Sequence, residues 1–116
     1  MLVGRFGNTT GRPYLEGRLF FPRLRLGGFI SFLIDTGADQ TTIMPADNLR
    51  IGVDYASLTD KQENVGVGGL SQHYLEPAIL VFLEENSRLV GYFVTTRLAP
   101  QKSELMNVPS LLVDKT

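Results

Sequence analysis

The stretch Phe29-Ile30-Ser31-Phe32-Leu33-Ile34-Asp35-Thr36-Gly37-Ala38-Asp39 runs an almost unbroken apolar segment straight into an acid, a hydroxyl and a glycine. Six residues, apolar but for Ser31, have the length of a strand, and their continuity predicts a strand buried on both faces. An acid placed directly at the end of such a strand is expected to be partly buried. There it must find hydrogen bonds or a charge partner. A bare Asp-Thr-Gly arises by chance at roughly the few-per-cent level in a chain this long. Its plain local reading is a turn, with Gly37 supplying positive φ and Thr36 bonding nearby.

Working outward, Gly27-Gly28 predicts a hairpin turn between Leu24–Leu26 and Phe29–Ile34. The segment from Arg12 to Leu26 reads as two short strands with a bend at Phe21-Pro22, because proline cannot donate to a ladder. After the acid, Thr41-Thr42-Ile43-Met44 resumes strand character. Pro45 then opens one short helical turn near residues 45–50, which Gly52 closes. Val65-Gly66-Val67-Gly68-Gly69 predicts a hairpin with a mobile tip. Glu76–Leu83 and Arg88–Thr96 read as strands, and Asn107–Val113 as one more short strand. No stretch carries a helical apolar stripe beyond two turns. The expected fold class is all-β, closed or nearly so, in one domain spanning residues 1–116.

Composition narrows the chemistry. The 116 residues are 43% hydrophobic and 20% charged, the profile of an ordinary globular chain. Eleven basic residues balance twelve acidic ones, a net charge of −1 that gives no electrostatic ground for a nucleic-acid partner. There is no cysteine and a single histidine, His73. A disulfide scaffold, a cysteine nucleophile and a multi-histidine metal site within one chain are thereby excluded. No apolar run approaches the ~18–20 residues of a membrane helix. Arg5 and Gly7 interrupt the N-terminus, so no secretion signal is expected and a cytoplasmic location is. No cofactor, no metal and no membrane partner are expected either.

Phe32-Leu33-Ile34-Asp35-Thr36-Gly37-Ala38-Asp39-Gln40-Thr41-Thr42-Ile43 resembles the active-site segment of retropepsins, the single-domain aspartic proteases of retroviral type, and most closely the bacterial retropepsin-like group. Val65-Gly66-Val67-Gly68-Gly69 resembles that family's glycine-rich flap. Asn107-Val108-Pro109-Ser110-Leu111-Leu112 resembles the approach to its second conserved block. The resemblance covers most of the chain from about Arg12 onward. It implies a retropepsin-like closed β-barrel, the acid-protease fold, and an aspartic endopeptidase acting on peptide or protein substrates.

The implied chemistry uses two carboxylates that share one proton, one acting on water as base and the other on the scissile carbonyl as acid. With one Asp-Thr-Gly per chain, the resemblance implies a two-fold homodimer with an Asp35 from each subunit at the axis. It makes Asp35, Thr36 and Gly37 the catalytic segment, with the Thr36 hydroxyl bracing the two loops. Ala38 and Asp39 would bind the substrate main chain. Val65, Gly66, Val67, Gly68 and Gly69 would form the flap that closes over a bound peptide.

The likeness departs at the end of the chain, which reads Leu111-Leu112-Val113-Asp114-Lys115-Thr116. Val113 stands where the family has glycine and Asp114 where it has arginine. Asp39 is therefore expected to lack that arginine, and an Asp114 placed nearby would repel it. The family's final helix and strand are expected to be missing, so that the domain is C-terminally short. This leaves two alternatives to the active enzyme: a catalytically inactive peptide-binding or dimerisation domain, or an inactive fragment of a longer protease.

Other residues read more plainly. Gly66-Val67-Gly68-Gly69 lacks the third spaced glycine and the following helix of a phosphate loop. Asp35, Asp39, Asp47 and Asp54 lack the spacing of a calcium loop. His73 reads as a surface or sheet-edge residue. Arg18, Arg23 and Arg25 read as an exposed strand face.

Overall fold

The computed structural model describes residues 5–6, 13–35, 40–66, 69–83 and 86–113. Their strands are β1 (Arg5–Phe6), β2 (Pro13–Phe21), β3 (Leu26–Asp35), β4 (Thr42–Ile43), β5 (Asp60–Gly66), β6 (Gly69–Leu83), β7 (Leu89–Leu98) and β8 (Leu111–Val113). One helix, α1 (Pro45–Ile51), follows β4. Neighbouring strands run in the order β1-β2-β3-β8-β4-β7-β6-β5, and β2 also pairs with β6. That extra pairing, Arg18 opposite Val81 and Phe20 opposite Ile79, closes β2, β3, β8, β4, β7 and β6 into a six-stranded mixed barrel. The all-β reading holds. Among the described residues no helix is long and apolar enough to cross a membrane.

Period-2 alternation builds the core. Leu15, Leu19 and Phe21 of β2, Ile30 and Phe32 of β3, and Ala78, Leu80 and Phe82 of β6 all point inward. Phe32 and Phe82 meet with ring centroids 6.2 Å apart. Each Leu, Ile and Phe among them contributes about 1.5–3 kcal/mol of burial. β3 is not buried on both faces over its length, however. Ile30 is 1% exposed, whereas Phe29 is 66% exposed and Ser31 is exposed too. The Phe29 and Ser31 side chains lie on the outer face, which is left to solvent, so an apolar run still alternates.

The first hairpin differs from the sequence reading. Pro13–Phe21 is one continuous strand, and the turn lies at Pro22–Arg25. Arg25 N donates to Pro22 O at 3.3 Å, and Arg25 takes a left-handed φ of 55°. Gly27 and Gly28 sit inside β3, opposite Phe20 and Leu19. A Cβ on Gly27 would lie 2.7 Å from the main-chain oxygen of Leu19, so the glycine marks a close approach of two strands rather than a turn.

α1 matches expectation, with proline in its first turn and Gly52 closing it at φ 104°. Its buried Asn48 donates from Nδ2 to Ile43 O at 3.1 Å and to the Tyr55 hydroxyl at 3.0 Å. The Tyr55 hydroxyl in turn donates to Ala99 O at 2.6 Å. β6 is longer than expected because it serves two neighbours on one side. It pairs with β5 as far as Leu75 and with β2 from Ile79. Pro77, which has no N–H to donate, falls in the gap between those ladders.

Arg23 does not lie on an exposed strand face. It reaches the fully buried carboxylate of Glu76 beside that gap, with Nη2 2.6 Å from Oε1 and Nε 3.0 Å from Oε2. His73 is likewise buried, in β6 opposite Gln62, and not at the surface. A strand flanked by β5 and β7 is an interior strand, which a residue-by-residue reading does not reveal.

Candidate active site

Asp35 is the last residue of β3, where the chain leaves the barrel wall. β8 fixes its main chain by running parallel to β3, with Leu33 opposite Leu111, Ile34 opposite Leu112 and Asp35 opposite Val113. Leu33 N donates to Ser110 O at 2.9 Å at the head of that ladder. The other flank of β8 pairs with β4, Thr42 opposite Leu111. One short strand therefore holds both the incoming and outgoing arms of the Asp35 segment. The side chain of Asp35 is half-buried.

The outgoing arm is tied down residue by residue. The buried Thr41 accepts Val113 N on its Oγ1 at 3.4 Å, while its carbonyl accepts Arg97 N at 2.9 Å. Gln40 donates from Nε2 to Thr95 O at 3.0 Å. Thr42 Oγ1 donates back to Gln40 O at 3.0 Å. The two ends of the segment from Asp35 to Gln40 are thus anchored to β8 and β7.

A second set of bonds supports the head of β8. The Ser110 hydroxyl is fully buried, accepts Met44 N at 2.9 Å and donates to Asp47 Oδ2 at 2.6 Å. Asp47 Oδ1 in turn accepts from Arg50 Nη2 at 2.9 Å. α1 is thereby bonded to the residue whose carbonyl starts the β3–β8 ladder. The sequence reading missed Thr41, Gln40 and the Ser110–Asp47 pair. Gln40 and Thr41 stood in the retropepsin-like segment and a strand pattern with no role of their own, and no local signal links Ser110 with Asp47, 63 residues earlier.

Of the sequence-predicted site residues, Asp35 stands at the strand end as expected. Thr36, Gly37, Ala38 and Asp39 lie outside the described residues, as do Val67, Gly68 and Asp114. Val65 and Gly66 end β5, and Gly69 opens β6. Gly66 opposite Gly69 is the last pair of that antiparallel hairpin. β5 pairs with no other strand among the described residues, so the hairpin stands at the edge of the sheet.

Asp47 and Asp54 have structural partners rather than a shared ligand. Asp47 serves Ser110 and Arg50, and Asp54 accepts Ala56 N on Oδ1 at 3.0 Å in the turn at Tyr55–Ser57. Among the described residues no three His, Cys, Asp or Glu side chains are grouped to hold a metal.

No family model matches the chain, and the search of curated proteins found no match. Solved structures do match. A retropepsin-like aspartic protease from Rickettsia conorii superposes with a TM-score of 0.60 at 17% identity, covering 97% of this chain and 73% of that one. The EIAV protease complexed with the inhibitor HBY-793 gives 0.52 at 18% identity, covering 94% of this chain and 88% of its own. At such identities the likeness is one of fold, and with the closed mixed barrel around β3 and β8 it is consistent: the chain has the retropepsin-like fold.

Proposed function

We propose that this protein is an aspartic endopeptidase, a cytoplasmic homodimer in which the Asp35 carboxylates of two subunits activate one water. The observation that carries this reading is the place of Asp35 in the fold. It ends β3 in register with Val113 of β8, in an architecture shared with solved aspartic proteases.

The two carboxylates hold one proton between them. The ionised one takes a proton from water as the water oxygen bonds to the scissile carbonyl carbon. The protonated one gives its proton to the carbonyl oxygen, which yields a tetrahedral diol. On collapse the carboxyl that took the water proton gives it to the amine nitrogen as the C–N bond breaks, and the other, ionised carboxylate takes a proton from a diol hydroxyl as the carbonyl reforms, so the pair again shares one. No metal, cofactor or histidine is required. Thr36 braces the two loops, Gly37 admits the close approach of substrate, and Ala38 and Asp39 hold its main chain. The hairpin from Val65 through Gly66, Val67, Gly68 and Gly69 closes over the bound peptide and excludes water.

The test is cleavage of an unbiased peptide library between about pH 4 and 7 by wild type and Asp35→Asn, over a range of protein concentrations. The reading expects a rate that rises faster than linearly with wild-type concentration and falls at least about a thousandfold in Asp35→Asn. Cleavage that persists in the variant refutes it, as does a wild type that cuts nothing at any concentration.

A further inference from the structure

β3 has an open edge. Its ladder with β2 runs from Leu26 to Leu33, whereas β8 covers the opposite edge only from Leu33 to Asp35. Leu33 N points away from β2, to Ser110 O. Ser31 and Phe29, two and four residues earlier, direct their main-chain groups the same way. Arg50 Nη2 takes Phe29 O from that side at 2.7 Å, so a pairing chain would bond to Phe29 N and the Ser31 main chain or displace the guanidinium. No strand among the described residues pairs with the Phe29–Ser31 edge.

The chain leading into β8 does not close this edge either. Val108 N turns back to Leu105 O at 3.2 Å, and Pro109 follows without an N–H, so the segment leaves the line of the ladder. Between it and β3 lies a groove of about 530 Å³, within the range of ligand-binding clefts, with Asp47 and Arg50 of α1 also lining it. Phe29, Met106 and Val108 are exposed apolar side chains, and all three line this one groove.

We infer that the groove is a docking site for an extended peptide, which adds as a strand to the Phe29–Ser31 edge and sets alternate aliphatic side chains against Phe29, Met106 and Val108. Unpaired strand edges take up extended chain because main-chain bonds supply affinity, while pockets for every second side chain supply selection. β8 separates this edge from Asp35, so docking does not depend on catalysis there.

The test therefore uses the Asp35→Asn protein, in which binding is read apart from any cleavage. The probe is a fluorescein-labelled octapeptide, Lys-Thr-Leu-Thr-Met-Thr-Leu-Lys, followed by anisotropy and by backbone amide NMR. Saturable binding with a Kd of roughly 10–500 μM is expected, with shifts centred on Phe29, Ser31 and Met106–Val108. N-methylation of alternate peptide amides should weaken binding at least about tenfold, since it removes the ladder bonds alone. Met106→Asp and Val108→Asp should each weaken it about tenfold, and Leu89→Asp, on exposed β7, should not. Circular dichroism identifies a variant that fails to fold, in which case the other groove variant decides. Absence of saturation to about 2 mM overturns the proposal, as does equal binding of the N-methylated peptide. So do shifts confined to other strands, or self-association of the protein mapped to this edge.

Discussion

Replacing Ser110 by alanine tests how the β3–β8 ladder is held. The hydroxyl makes two bonds, accepting Met44 N at 2.9 Å and donating to Asp47 Oδ2 at 2.6 Å. The second is a bond to a carboxylate, of a kind that contributes about 1.5–3 kcal/mol. The low end applies, because Asp47 is partly exposed and keeps Arg50 as partner. Met44 N, belonging to a buried residue, is left unpaired at a cost of about 1–3 kcal/mol. Together these predict a destabilisation of about 2.5–4.5 kcal/mol. At roughly 4 °C per kcal/mol for a chain this size, Tm falls by about 10–18 °C. Urea unfolding of wild type, Ser110→Ala, Asp47→Ala and the double variant measures it, with an unchanged m-value and a coupling energy near or above about 1 kcal/mol. A loss below about 0.5 kcal/mol, or strict additivity of the two variants, refutes the reasoning.

Gly27→Ala should destabilise by about 1–3 kcal/mol in urea unfolding, since its Cβ meets the main-chain oxygen of Leu19 at 2.7 Å and a strand must shift. Burial pushes the Tyr55 hydroxyl above its ordinary range, against a smaller opposing effect of the Asn48 bond. Its stabilising contribution is therefore complete below about pH 10 and is lost as pH rises through the raised folded-state value. Tyr55→Phe should cost about 1–2 kcal/mol at pH 8, and the gap to wild type should narrow above about pH 10 when urea midpoints are compared. Arg23→Ala should lower Tm by stranding the buried Glu76 carboxylate. Arg23→Lys should restore only part of the loss, because one ammonium cannot replace a guanidinium that also donates to Ser57 O at 3.0 Å.

What was legible in the sequence is what local chemistry decides. Asp35 at a strand end, proline opening α1 and Gly52 closing it, and the hairpin through Gly66 and Gly69 all follow from residue type and near neighbours. What was not legible depends on residues far apart. Gly27-Gly28 carries a strong turn signal, yet the approach of Leu19 across the ladder requires the glycine inside β3. His73 looked peripheral because nothing nearby in sequence shows that β5 pairs beside it, in a strand that β7 joins from Tyr74 on. Arg23 looked like one of three solvated arginines, whereas Glu76, 53 residues away, holds it at the barrel's closure. Even Phe29, part of the segment that decided the fold, was expected to be buried and instead lines the open groove.

The account's central claim is that one Asp35 from each of two chains forms the catalytic pair, and subunit mixing tests it most directly. Wild type is held at a fixed concentration in the dimeric range, Asp35→Asn is added, and peptide cleavage is followed after exchange. Random pairing predicts a fall to about half the starting rate with one equivalent of the variant and to about a quarter with three. A rate that stays constant as the variant is added would contradict the claim, because a single chain would then suffice for catalysis.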